Sequence, residues 1–187
     1  ISFGSFVRMC ESHFYRDRID STFFYLEKIT MLTEQLQIPF MVLLSNYYSG
    51  RYHFYNGNHK SSVKHFDFII DNIPDDFDLS MRVVPKAFNA VNFNKMDQPK
   101  RSLEYLALIK NEMGGDDKFE EMEYYNILIQ ALEVNNEQDL GKKYLLDAYD
   151  IIMQRSFKIK DRQLRNDFLE KNYWNLKIIT LYNNLAS

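Results

Sequence analysis

Three histidines within one short stretch, His53, His59 and His65, are the first residues that invite chemistry, because a neutral imidazole is a ready metal ligand. Their spacing argues against it. His59 and His65 stand six apart, off a common helical face, whereas chelation from one helix wants an i, i+4 pair. His53 and His59 are better read as packing residues. The acidic cluster Asp71, Asp75, Asp76 and Asp78 fails as a calcium loop, which needs alternating acids, a Gly at the bend and a closing Glu; Pro74 stands there and no Gly does. A solvated link is expected. Arg155, Lys158, Lys160, Arg162 and Arg165 form one basic stretch, without the interleaved aromatics of a single-strand binding platform, so nucleic acid is not expected as a partner. Gly114-Gly115 ends a helix, and there is no phosphate loop, Gly-x-Ser-x-Gly or His-Glu-x-x-His. No catalytic set converges. A non-enzyme without metal or cofactor is expected.

The residues best suited to recognition are Tyr47, Arg51 and Tyr55, which follow at i, i+4 and i+8 on one side of a helix. Arg51 offers a fork for a carboxylate, and the tyrosines offer stacking area. Comparable slots elsewhere hold Val7, Glu11 and Phe14, then Val91 and Asn94, then Asn126, Gln130 and Glu133. The amides of Asn and Gln pair with an extended peptide backbone. The expected site is therefore a concave groove lined by Tyr47, Arg51, Tyr55, Asn94, Asn126 and Gln130, taking a peptide or a protein partner.

The elements that would hold this groove are organised around Tyr48 to Pro74. That stretch reads as two amphipathic helices joined at Asn56-Gly57-Asn58, with Gly50 at their closest approach and His59, Ser62, Phe66 and Ile69 facing inward. The inward spacing recurs as Ile19, Thr22, Leu26 and Ile29, as Pro99, Ser102, Leu106 and Ile109, and more weakly as Gln138, Gly141, Leu145 and Ala148. Thr22, Ser62, Ser102 and Gly141 are 40, 40 and 39 residues apart. Cys10, Gly50, Ala90 and Ile129 keep the same step, as do His13, His53, Phe93 and Leu132. A small residue, an aromatic, a Gly turn, a small residue, an aromatic and a closing Pro resemble the tetratricopeptide helical hairpin. His53 stands where that family usually has Tyr, Ser62 where it has Ala, and the step exceeds its roughly 34 residues. The resemblance implies an all-α, right-handed superhelix of about four hairpins, near 3–37, 39–73, 80–113 and 116–156, and a C-terminal capping helix at 161–185, forming one domain over 1–187.

Local signals place the ends. Pro39 suits a first helical turn, and Asn58 caps the helix that begins at His59. Pro85 either begins a helix or kinks one begun near Ser80. Asp97 and Pro99 open the next helix, Asp116 or Asp117 the one after, and Asn136 the last of the paired ones. The capping segment, bent near Asn172, carries the sole Trp, Trp174. Residues 148–182 are similar to the closing segment of helical-repeat regions in large bacterial signalling ATPases and transcriptional activators, through Ala148, Tyr149, Arg165, Phe168, Leu169, Asn172 and Ile178. Tyr173-Trp174 departs from that pattern. This likeness implies an adaptor or sensor region beside effector domains, with a peptide-pheromone-type sensor as the alternative.

Net charge is −3 with the histidines neutral, which invites neither nucleic acid nor an anionic membrane. Cys10 stands alone, so a reducing, cytoplasmic setting is expected. No apolar run reaches a membrane span. A start at Ile1 is expected of a piece cut from a longer protein, and self-association into a dimer is compatible with exposed repeat ends.

Overall fold

One hydrogen-bonded turn closes four helices of this chain. The N–H of Arg18 donates to His13 O (2.9 Å), Asn58 to His53 O (2.8 Å), Gln98 to Phe93 O (2.9 Å) and Glu137 to Leu132 O (2.9 Å). This is the six-residue closure in which the residue before the donor adopts a left-handed conformation. Gly57 (φ 72°), Asp97 (φ 56°) and Asn136 (φ 64°) do so. Asp97 and Asn136, expected to open helices, turn the chain instead, because short polar side chains tolerate this region.

The computed structural model describes residues 2–16, 18–114 and 117–186. Among them are ten helices and no strand: α1 (Phe3–Phe14), α2 (Ile19–Leu36), α3 (Pro39–Tyr55), α4 (His59–Asn72), α5 (Leu79–Lys95), α6 (Pro99–Glu112), α7 (Met122–Glu133), α8 (Gln138–Phe157), α9 (Arg162–Glu170) and α10 (Tyr173–Ala186). The fold is all-helical. Each helix packs on its sequence neighbour in the pairs α1–α2, α3–α4, α5–α6 and α7–α8, and α2–α3, α4–α5 and α5–α7 join those pairs. Pro39 and Pro99 each sit in a first turn, and the Asn58 side chain accepts from Ser61 N–H. Pro85 lies inside α5, which begins at Leu79 behind the Asp78 cap.

The small residues mark the crossings. Ser62 Oγ donates to Gly50 O (2.9 Å), and Ser102 Oγ donates to Ala90 O (2.7 Å). Each Ser in turn accepts from an Asn of the following pair, Asn92 or Asn135, at 2.9 Å. In the first pair the direction is reversed: Cys10 Sγ of α1 lies 3.9 Å from Thr22 O, while Thr22 Oγ1 donates to Arg18 O (3.2 Å). Gly50 needs its hydrogen: a Cβ there would sit 2.8 Å from the Phe66 ring, itself stacked on Phe88 at 4.7 Å. Around these crossings Phe14, Phe66, Phe88, Tyr125, Leu132 and Ile152 form a continuous core.

Two boundaries differ from the sequence expectation. The expected start of α7 at Asp116 lies outside the described residues, and at Asp117 no helix begins. The Asp117 carboxylate turns back to accept the Gly114 N–H (2.6 Å), and α7 starts only at Met122. The capping segment is two helices rather than one. Asn172 Oδ1 accepts from Trp174 N–H and Asn175 N–H (3.2 and 3.1 Å), restarting the chain as α10, which packs on α7 and α8.

Asp97 supplies a test of the turn. Its side chain is exposed, so Asp97→Gly relieves a left-handed residue at no loss of packing. We expect a gain of about 1 kcal/mol in urea unfolding; an unchanged midpoint would show that the turn is unstrained.

Candidate functional site

Arg51 carries the most deeply buried convergence of charged groups among the described residues; Lys86 and Arg82, which meet on Glu112, lie nearer the surface. The position of Arg51 near the end of α3 aims the guanidinium between α1 and α7. Nη1 donates to Glu11 Oε1 on α1 (3.0 Å), while Nε donates to Glu123 Oε1 on α7 (3.0 Å) and Nη2 to Glu123 Oε2. The fork is filled. Tyr48 O–H donates to Glu11 Oε1 (2.6 Å), Tyr55 O–H to Glu123 Oε1 (2.7 Å), and Tyr15 O–H to Glu121. The guanidinium carbon also lies 4.1 Å from the Phe14 ring centroid, within cation–π range.

Arg51 is 1% exposed and the Glu123 side chain 2%, while the Glu11 side chain keeps 27% of its surface. Burial pushes the Glu123 carboxyl above its ordinary range, and Arg51 only partly holds it down. Burial alone would lower the Arg51 pKa, but Glu11 and Glu123 together hold it well above the usual guanidinium value. The two-pronged contact and the Tyr55 donor fit an ionised pair. Burial raises the Tyr124 hydroxyl to about 12, and the buried Cys10 thiol likewise to about 12, so neither supplies a nucleophile at neutral pH.

The expected groove set thus divides. Tyr47, Arg51 and Asn126 are buried, and Tyr55 is half-buried against Trp174 (centroids 5.6 Å apart). Gln130 donates to Asn126 Oδ1 (2.6 Å), and Asn94 to Val134 O (3.4 Å); both stay partly exposed. Tyr47, Arg51 and Tyr55 do come together, but as an internal cluster whose ligand carboxylates are the chain's own. The physical reason is that Glu11 of α1 and Glu123 of α7 both reach Arg51 and fill its fork. Glu11 occupies the slot matching Arg51 in the first pair, so half of the pairing was visible in the register. Glu123, 72 residues from Arg51, follows from no local pattern.

The histidines also find partners. His53 of α3 stacks on His65 of α4 (5.4 Å, 9°), and His65 Nδ1 donates to Asn46 Oδ1 (2.9 Å). His59 Nδ1 donates to Asn92 Oδ1 (2.8 Å), extending the Asn92–Ser62–Gly50 chain of hydrogen bonds. Among the described residues no group of three or more His, Cys, Asp or Glu side chains could hold a metal ion, and no helix is long and apolar enough to cross a membrane. Burial lowers the pKa of His53 and of His65, the latter further through His53 and Lys64. A depressed histidine contributes stability that is present above its unfolded pKa and lost as pH falls through the folded value. Melting temperature should therefore drop between about pH 7 and 5, and drop less in His53→Phe/His65→Phe. Parallel curves for the two proteins would rule the pair out as the cause.

A hollow of about 460 Å³ lies between the starts of α5 and α7, lined by Asp78, Ser80, Lys118, Glu120, Glu121 and Tyr124. Tyr15 donates to Glu121 in its lining. Comparison with known proteins finds no matching family model, no matching curated protein and no matching solved structure.

Proposed function

We propose that this chain is a tetratricopeptide-like helical-repeat scaffold that binds a protein partner within a larger signalling or transcription-regulating protein. On this reading about four hairpins of near-40-residue period form a right-handed superhelix, and α9 and α10 cap its end. The carrying observation is the shared register of turn and crossing: Gly57 with Ser62–Gly50, then Asp97 with Ser102–Ala90. Stacked units of that kind present extended surface, which suits binding better than catalysis. The chain is read as cytoplasmic, non-catalytic and free of cofactors, acting beside effector domains.

Because Arg51 is satisfied internally, the partner is assigned to an end or outer face, where Asn94 and Gln130 keep partial exposure. Selection from a displayed random-peptide library against the immobilised chain tests this. Enrichment of one sequence pattern with saturable binding is expected; no enrichment after repeated rounds would count against a scaffold.

One observation favours a ligand-gated sensor as the second reading. Glu11 is the partly exposed arm of the Arg51 cluster, and a ligand carboxylate displacing it would break the α1–α3 side-chain contact. X-ray scattering unchanged at saturating peptide would exclude that version.

A further inference from the structure

The exposed end of the α1–α2 pair repeats a packing position that is filled everywhere else. Arg8, Met9 and Ser12 occupy on α1 the places of Tyr48, Ser49 and Tyr52 on α3, of Phe88, Asn89 and Asn92 on α5, and of Ile127, Leu128 and Ala131 on α7. Those later residues meet the preceding helices. Tyr48 donates to Glu11, Asn89 donates to Asp67, Asn92 donates to Ser62, and Phe88 stacks on Phe66. On α5 and α7 all three slots are buried. On α1 Arg8 and Met9 are left open and Ser12 is only partly covered: Met9 is 48% exposed, and Phe24 on α2, edge-on to Tyr25 at 5.2 Å, is 56% exposed.

The face has a defined chemistry. A hollow of about 390 Å³ runs along it, lined by Ser5, Phe6, Arg8, Met9 and Tyr25. Lys28 stands over the Phe24 ring at 5.6 Å. Arg8 and Lys28 are ion-paired with no carboxylate among the described residues. Two of the three acids of α2, Glu27 and Glu34, fall at helical spacing on the side shared with Phe23 and Thr30, which contact Tyr52 and Ser45 of α3. The result is an apolar strip with a basic border, on a chain whose net charge is −3.

We propose that this α1–α2 face docks an amphipathic helix of a partner protein, its apolar stripe on Phe6, Met9, Phe24 and Tyr25 and its acidic flank on Arg8 and Lys28. The proposal rests on the scaffold reading and names the partner class. Charge decides the occupant: a second copy docking through the same face would set Arg8 and Lys28 against their own kind, whereas an acidic helix pairs with both. Helix-in-groove recognition of this type reads anchors at i, i+3, i+4 and i+7.

The test uses two labelled synthetic peptides of about five helical turns, both with Leu at those anchor positions, one flanked by Glu and the other by Lys. Fluorescence anisotropy should show saturable binding of the Glu peptide, weakened by added salt, and little binding of the Lys peptide. Arg8→Glu/Lys28→Glu should weaken the Glu peptide by at least roughly tenfold, and Met9→Asp by as much. Circular dichroism melts of these surface variants should match the parent chain. The proposal is overturned if both peptides bind alike, if the variants bind the Glu peptide undiminished, or if neither peptide binds. Light scattering adds a further outcome: a dimer split by Met9→Asp would assign the face to a second copy. Failure here, with display-selected peptides still binding elsewhere, leaves the scaffold reading standing.

Discussion

Arg51→Met should unfold this protein about 3–5 kcal/mol more easily at neutral pH, because it strands the Glu123 carboxylate in a buried site with one remaining donor, Tyr55. That is a large share of the roughly 5–15 kcal/mol that holds an ordinary domain together. Glu11 matters less, since its partly exposed side chain can return to water. The loss should depend on pH in a defined direction. Burial already raises the Glu123 pKa, and removing Arg51 takes away the main influence opposing that rise. A carboxyl with a raised folded pKa favours the folded state below its unfolded value and loses that advantage as pH rises through the folded value. The gap between variant and parent should therefore narrow as pH falls from neutral toward the ordinary carboxylate range. Arg51→Met/Glu123→Gln should recover most of the stability at neutral pH, because the amide still accepts from Tyr55 without needing a cation. Urea titrations of the three proteins at neutral and acidic pH decide it. A pH-independent deficit, or a double variant as weak as the single, would mean that the ion pair is not what the site requires.

What the sequence made legible follows from the range of each signal. Helix ends governed by one or two residues were readable: Pro39 and Pro99 in first turns and the Asn58 cap depend only on their immediate neighbours. The phase of the small residues was readable too, because Ser62 and Ser102 must fit beneath a facing backbone and their hydroxyls find the carbonyls of Gly50 and Ala90. Signals with two local meanings were misassigned. An Asp or Asn ahead of a helical pattern serves equally as a cap or as a left-handed turn, and Asp97 and Asn136 are turns. Asp117 faces the same choice and bonds backward. The burial of the expected groove residues was not legible, for a different reason. Periodicity places Tyr47, Arg51 and Tyr55 on one face, but only the way α7 and α1 lie against α3 decides whether that face meets solvent. Glu123 therefore left no trace in the pattern around Arg51, and a recognition residue and a buried ion pair read alike.

Trp174→Ala carries the second large effect, an expected loss of about 3–5 kcal/mol from emptying a site only 2% exposed. Trp174→Phe should cost far less, below about 1.5 kcal/mol, because the ring volume is mostly kept and the indole N–H holds no hydrogen-bond partner among the described residues to be lost. The contrast separates packing from hydrogen bonding. The position also couples to the ion cluster. Trp174 lies against Tyr55, whose hydroxyl holds Glu123, which in turn holds Arg51. If α10 keeps water away from that chain of contacts, Trp174→Ala opens the cluster and leaves less for Arg51→Met to remove. A double-mutant cycle should then show the pair costing less than the sum of the singles, with a coupling of roughly 1 kcal/mol. Circular dichroism must follow the unfolding, since Trp174 is the sole Trp in the sequence. Additive losses would confine α10 to covering α7 and α8; a clear coupling would make the terminal helix part of the structure that keeps Arg51 charged, buried and closed to outside ligands.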